Sequence, residues 1–126
     1  MHSSAESDPH EAVARAIIDL ERSCLEAESA FVGLRWDDVR AAFARQSALT
    51  FELGRLFADA PQTAPDADPK VGRRIRGILA YRDDQLRRMR AYRDEVGERL
   101  SSIGKVNALS RSLGRRVTPH LLDSTH

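Results

Sequence analysis

The stretch that decides the fold runs from Asp68 to Gly114 and reads DPKVGRRIRGILAYRDDQLRRMRAYRDEVGERLSSIGKVNALSRSLG. Asp followed by Pro is a typical helix start, because the aspartate caps free amides and proline fits the first turn. Apolar residues then recur every three or four positions, as on one face of an amphipathic helix. They are Val71, Ile75, Ile78, Leu86, Met89, Val96, Leu100 and Ile103. The pattern predicts a helix over residues 69–103, about 50 Å long.

The segment after Ile103 keeps a shorter apolar line, formed by Val106, Leu109 and Leu113. Two interpretations fit it equally well: the long helix continues, or a short fourth helix forms near residues 105–113. Gly97 and Gly104 weaken the helix, since each costs about 1 kcal/mol relative to alanine. Residues 115–126, which contain Pro119, are predicted to be a flexible tail.

Two shorter helices are predicted before the long one. The first, over residues 9–33, starts with Asp8-Pro9, and the second, over residues 36–58, starts at Trp36. Both carry apolar residues at alternating steps of four and three, which is typical of helices packed lengthwise. These are Val13, Ile17, Leu20, Cys24, Ala27 and Phe31 in the first helix, and Val39, Ala42, Leu49, Leu53 and Leu56, with Gln46 among them, in the second. The short turn between them predicts an antiparallel hairpin, with Trp36 packing at the end of the hairpin.

These elements predict an all-α fold: an antiparallel helical hairpin plus one long helix, in a three- to four-helix bundle with coiled-coil-like packing. The predicted domain spans residues 9–114, between a disordered tail over 1–8 and a flexible tail over 115–126. Residues 58–68 contain Pro61 and Pro65 and are predicted to form a loop. Each hairpin arm covers about 36 Å, so the far end of the long helix should lack a partner within the monomer.

Charge is unevenly distributed along the chain. Residues 1–68 hold 13 acids and 6 bases, whereas residues 69–126 hold 14 bases and 6 acids. The favoured interpretation is that an acidic hairpin packs against a basic helix; the alternative is an acidic partner such as nucleic acid. Acids interrupt the basic run, and its arginines spread around the helix, which argues against nucleic acid. These arginines are Arg73, Arg74, Arg76, Arg82, Arg87, Arg88, Arg90 and Arg93.

The residues needed for chemistry are sparse. The single cysteine, Cys24, cannot form an internal disulfide, and no histidine is spaced to share a metal with a second ligand. We find no phosphate-binding glycine loop and no nucleophile motif. We therefore expect a non-enzymatic protein without metal or cofactor. The absence of a long apolar run and of a signal-peptide pattern predicts a cytoplasmic protein that does not enter the membrane.

The pattern of this sequence resembles that of one protein family. Residues 20–57, LERSCLEAESAFVGLRWDDVRAAFARQSALTFELGRLF, are similar to the opening hairpin of the FlgN/FliT group of flagellar type III export chaperones. There, a leucine-rich helix ends in a short turn with tryptophan and an acid, and a second leucine-rich helix follows. The run from Ile78 to Gly114 resembles the long final helix of that family and its short C-terminal segment.

The resemblance implies a function and a set of partners. Members of the family bind the helical ends of hook-associated or filament-cap subunits, prevent premature assembly and deliver the subunits to the export gate. Their long helix and C-terminal segment make most of these contacts. The family often has a tyrosine followed by glycine near its end, where this chain has Ser112-Leu113-Gly114. That departure bears on gate docking more than on client binding.

The predicted client-binding residues lie on the part of the long helix beyond the reach of the hairpin. They are Val96, Leu100, Ile103, Val106, Leu109 and Leu113. A long unpartnered amphipathic helix is a docking surface for another helix. Two other occupants of the same face remain open: a second copy of the chain, giving a homodimer, or the C-terminal tail folded back. The rival functions are a basic helical nucleic-acid-binding protein and a structural coiled-coil subunit.

Overall fold

The computed structural model describes residues 8–116 and contains three α-helices in that range. They are α1 (Pro9–Val32), α2 (Trp36–Asp59) and α3 (Pro69–Arg116), with one 3-10 turn, Pro61–Thr63, between α2 and α3. No strand occurs between residues 8 and 116. The predicted all-α class is confirmed, and the bounds of α1 and α2 fall within one residue of the prediction.

The C-terminal end of α3 differs from the prediction. The helix does not end at Ile103 but continues to Arg116, the last described residue. The segment near 105–113 is therefore part of α3 and not a fourth helix. Gly97 and Gly104 lie inside it, and a Cβ added to either would meet nothing within 4 Å. Their cost does not end the helix, because each further residue of a formed helix adds a backbone hydrogen bond. The predicted tails, apart from Asp8, Arg115 and Arg116, lie outside the described residues.

Both Asp-Pro pairs cap helices as the sequence indicates. The Asp8 carboxylate accepts a hydrogen bond from the His10 backbone amide at 3.0 Å. The Asp68 carboxylate accepts one from the Lys70 amide, also at 3.0 Å. Each bond satisfies an amide that the first helical turn leaves without an intrahelical partner.

The turn between α1 and α2 is a Schellman motif built on an unusual residue. The Arg35 amide donates to the Ala30 carbonyl at 2.8 Å, and the Leu34 amide donates to the Phe31 carbonyl at 3.0 Å. The residue in the left-handed conformation of this motif is commonly glycine, but here it is Leu34, with φ 56°. Gly33 has φ −84° and ends α1 one position earlier. Trp36 contacts Phe31 across this turn, with ring centroids 5.8 Å apart, so its predicted packing role is confirmed.

Contacts divide the described residues into two units, one up to Arg87 and one from Arg88 onward. The apolar core of the first unit is formed by α1, α2 and the beginning of α3. Its buried members are Val13, Ala16, Ile17, Leu20, Cys24, Leu53 and Ile78, against which Leu49, Leu56, Phe57, Val71, Ile75 and Tyr81 pack. The heptad residues predicted on α1 are therefore buried as expected, except that Phe31 is only half-buried.

Two glutamines form a polar layer within this core. Gln46 of α2 donates to the Ser23 carbonyl at 3.3 Å, and Gln85 of α3 donates to the Cys24 carbonyl at 3.2 Å. Gln85 also donates to the Glu28 carboxylate at 3.1 Å. Both glutamines are completely buried, and the side-chain oxygen of each has no hydrogen-bond partner among the described residues. Adjacent carbonyls of α1 thus fix the positions of α2 and α3 along it.

Candidate partner-binding surface

The second unit is described by the part of α3 from Arg88 onward, and it carries the predicted client-binding residues. Five of the six are more than half exposed: Leu100 (63%), Ile103 (54%), Val106 (60%), Leu109 (60%) and Leu113 (52%). Val96 is half-buried. Large apolar side chains gain free energy when they leave water, so this run is a candidate surface for another apolar face.

The six residues form a broad band and not a narrow line. Counted at 3.5 residues per turn, Val96, Ile103, Val106 and Leu113 fall on a heptad seam, while Leu100 and Leu109 lie on opposite sides of it. The band covers roughly 150° of the helix circumference. A partner helix laid along the seam would therefore have one leucine on each flank.

The polar residues around this band are charged and exposed. Arg99 lies on the seam, and its guanidinium pairs with the Glu95 carboxylate at 2.5 Å. Both side chains are mostly exposed, so the pair contributes little to stability. It holds the Arg99 head group toward Glu95, one turn earlier, where the group remains solvated.

The first unit contains a second candidate surface that the sequence analysis missed. A cleft of about 270 Å³ lies between α1 and α3, and its walls include Cys24, Leu25, Ile78 and Tyr81. The Glu21 carboxylate and the Arg74 guanidinium, which also line it, form an ion pair at 2.6 Å. This pair joins the acidic hairpin to the basic helix, in line with the favoured interpretation of the charge asymmetry.

The sequence of α1 contains a signal for this cleft. Exposed apolar residues recur every seven positions on α1, at Ile18, Leu25 and Val32. They directly follow Ile17, Cys24 and Phe31 of the predicted core stripe. Adjacent apolar residues at heptad spacing give a helix a second apolar edge beside its core face. Leu25 is the member of this edge that lines the cleft.

The Cys24 thiol in the wall of the cleft has low reactivity. Burial raises the pKa of the Cys24 thiol above its ordinary value, while the positive charge of Arg82 works against that rise. Because the thiolate is the reactive form, a raised pKa makes this thiol a poor nucleophile. Within residues 8–116, no group of histidine, cysteine and acidic side chains could hold a metal ion.

The arginines considered for nucleic-acid binding are partly engaged by acids. Arg74 pairs with Glu21 across helices, and Arg87 pairs with Asp84 at 2.5 Å. Arg82 is half-buried, and its Nε has no hydrogen-bond partner among the described residues. These side chains do not form one free basic face.

Comparison with protein-family models, with curated proteins and with solved structures found no match for this chain. In the described part of the chain, none of the helices combines the length and apolar character that crossing a membrane requires.

Proposed function

We propose that this protein is a cytoplasmic flagellar export chaperone that binds the helical ends of hook-associated or filament-cap subunits. In this role it prevents their premature assembly and delivers them to the type III export apparatus. The observation that carries the proposal is the run of exposed apolar residues on α3, from Leu100 to Leu113. The resemblance of the hairpin and the long helix to the FlgN/FliT group supplies the class of client.

The binding mode follows from the shape of the surface. An amphipathic helix of the client lies along the heptad seam and buries its apolar face against Ile103 and Val106, with Leu100 and Leu109 on the flanks. Burying the exposed half of each such side chain contributes about 1 kcal/mol. Several contacts of that size give a moderate affinity, which suits a complex that must later release its client.

Protection of the client follows from the same contact. The helical ends of assembling subunits are apolar on the face that they bury in the assembly. A chaperone that covers this face blocks assembly until it is displaced. Ser112-Leu113-Gly114 stands where the family often has tyrosine and glycine, a difference that bears on delivery to the gate and not on protection of the client.

Capture of a purified client tests the proposal. Leu100→Gln and Leu109→Gln each remove one flank of the band and should weaken binding of a hook-associated or cap subunit about fivefold, which corresponds to the loss of about 1 kcal/mol. Their free energy of unfolding should change by under about 1 kcal/mol, as at other exposed positions. Phe51→Gln is the matched control, because Phe51 is 76% exposed on α2 and lies outside the band.

The outcomes separate the rival functions. Equal loss of capture in Phe51→Gln and Leu100→Gln would contradict a site on α3. Failure to bind any hook-associated or cap subunit, together with tight binding to nucleic acid at physiological salt, would favour the nucleic-acid-binding class. Stable incorporation into a filament without a client would favour the structural coiled-coil class.

A further inference from the structure

The heptad register of α3 runs without a break through its whole length. In the first unit its positions are Val71, Ile75, Ile78, Arg82 and Gln85, all buried or half-buried. The same alternation of four and three residues continues at Met89, Tyr92, Val96, Arg99, Ile103, Val106, Ser110 and Leu113. From Arg99 onward every seam residue is exposed. The seam that packs the first unit therefore continues, in register, into a segment whose seam is open.

We propose that a second copy of the same segment covers this open seam when no client is bound. The two copies run antiparallel, related by a two-fold axis at the peptide bond between Gly104 and Lys105. This self-association goes beyond the proposed function and does not depend on the identity of any client.

The register of the seam supports this arrangement. Residues equally distant from the two-fold axis lie at the same level in the two copies. Ile103 then lies beside the partner's Val106, Val96 beside the partner's Leu113, and Arg99 beside the partner's Ser110. Every apolar seam residue meets an apolar one, and the two polar ones meet each other. A shift of one heptad in one direction would place Arg99 beside the partner's Ile103 and bury charge against an apolar side chain, which is costly. A shift of one heptad in the other direction would place Val106 beside the partner's Ser110 and lose an apolar contact.

Charge complementarity selects the antiparallel direction. Residues 94–104 contain three acids and one arginine, for a net charge of −2. Residues 105–114 contain Lys105 and Arg111 and no acid, for a net charge of +2. In the antiparallel pair, residues 94–104 of one copy lie beside residues 105–114 of the other, so opposite charges meet. A parallel pair would align like charges and place Arg99 beside the partner's Arg99.

The size of the contact predicts weak association. The seam from Val96 to Leu113 is about 26 Å long, and each copy offers six apolar side chains. A strip of that length and about one helix diameter, 10 Å, wide covers about 260 Å². That area is well below the roughly 800 Å² per partner of a stable protein interface. The pairing is therefore reversible, and a client helix that buries more surface can displace the second copy.

Disulfide cross-linking tests the direction and register of the pairing. Two single-cysteine proteins, Val96→Cys and Leu113→Cys, are made in a Cys24→Ala background, mixed, and oxidised in a glutathione redox buffer. The expected product is the mixed 96–113 disulfide, since the two copies of residue 96 are about 26 Å apart in the antiparallel pair. Ser101→Cys, on the outer face of the helix, gives the rate of random collision.

Two outcomes would overturn the proposal. Disulfides joining 96 to 96 and 113 to 113 would show a parallel pair. A mixed product no faster than the Ser101→Cys reaction would show that the seam is not an interface between copies.

A charge exchange separates self-association from client binding. Lys105→Glu/Arg111→Glu makes both halves negative, and Asp94→Lys/Glu98→Lys makes both positive, while neither touches the apolar band. Sedimentation equilibrium should show each variant as a monomer, and their mixture as a dimer. If the separate variants still dimerise, charge does not set the pairing and the proposal fails. Client capture by the monomeric variants then tests the proposed function independently.

Discussion

Gln85 of α3 donates its side-chain amide to the backbone carbonyl of Cys24 in α1, at 3.2 Å, from a completely buried position. Gln46 makes the equivalent contact from α2, to the neighbouring carbonyl of Ser23. Both amides are only half satisfied, because neither side-chain oxygen has a partner among the described residues. A buried polar group of this kind contributes more to the register of packed helices than to their stability.

Replacement of Gln85 by leucine tests this balance. Gln85→Leu removes an unpaired oxygen and adds apolar contact at similar volume, but it also removes the hydrogen bonds to the Cys24 carbonyl and the Glu28 carboxylate. The gains and losses oppose each other, so the free energy of unfolding should change by less than about 1 kcal/mol. Gln85→Ala leaves a cavity and should lower it by about 2 kcal/mol or more. Urea denaturation measures both. A loss of several kcal/mol in Gln85→Leu would mean that the amide hydrogen bonds stabilise the fold as well as fix its register.

The left-handed residue of the hairpin turn gives a second prediction. Leu34 has φ 56°, a conformation that costs a residue with a Cβ about 1–2 kcal/mol and costs glycine almost nothing. Leu34→Gly should therefore raise the free energy of unfolding by about 0.5–1 kcal/mol, after allowance for the greater entropy of the unfolded chain. Leu34→Ala keeps the strain and is the control for loss of the leucine side chain. Equal stability of the two variants would contradict the assigned strain.

This turn also shows how far the sequence could predict the structure. The Asp-Pro starts and the heptad stripes located α1 and α2, because capping and periodicity are local properties. Gly33 correctly marked the end of α1, but the left-handed position fell one residue later, on Leu34. Propensity favours glycine there, and the hydrogen bonds from Leu34 and Arg35 to the last turn of α1 override it.

The sequence predicts the end of α3 and the cleft less well. Gly104 suggested a helix break that does not occur, because a single glycine does not outweigh the continued backbone hydrogen bonding of its neighbours. Periodicity places Leu100 and Leu109 on one exposed face, but periodicity alone does not distinguish a client helix from a second copy on that face. The cleft beside Leu25 does not follow from the core stripe of α1, because a second apolar edge beside that stripe lines it.

The glycines of α3 give a third prediction. A Cβ at Gly97 or Gly104 would meet nothing within 4 Å, whereas one at Gly72 would lie 3.1 Å from the Pro65 carbonyl oxygen. Alanine at 97 or 104 should stabilise the helix by about 1 kcal/mol, and at 72 the steric contact should cancel or reverse that gain. Amide hydrogen exchange near each site measures the effect locally. Faster exchange in Gly104→Ala than in the parent protein would contradict the open surroundings of that residue.

Core burial gives a fourth prediction. Leu20 is 4% exposed in the core of the first unit, while Leu49 is only partly buried against that core. Leu20→Ala should lower the free energy of unfolding by about 2–5 kcal/mol, and Leu49→Ala by roughly half as much. Thermal denaturation followed by circular dichroism ranks the two. A smaller loss for Leu20→Ala than for Leu49→Ala would place the core elsewhere on α1.

The buried thiol of Cys24 links stability to alkaline pH. Its pKa in the folded protein is raised above the ordinary value of 9.0, chiefly because burial disfavours the thiolate. The folded state therefore holds the proton more tightly than the unfolded state. This contribution to stability is fully present below the unfolded pKa and is lost as pH rises through 9 toward the folded pKa. The free energy of unfolding should consequently fall as the pH rises above about 9, and Cys24→Ala should remove part of that fall. Urea denaturation of both proteins across this pH range measures the effect. Lysine and tyrosine residues titrate alike in the two proteins, so their contribution cancels when the two free energies of unfolding are subtracted. An identical pH dependence in the two proteins would show that the thiol titrates equally in both states and is not protected by the fold.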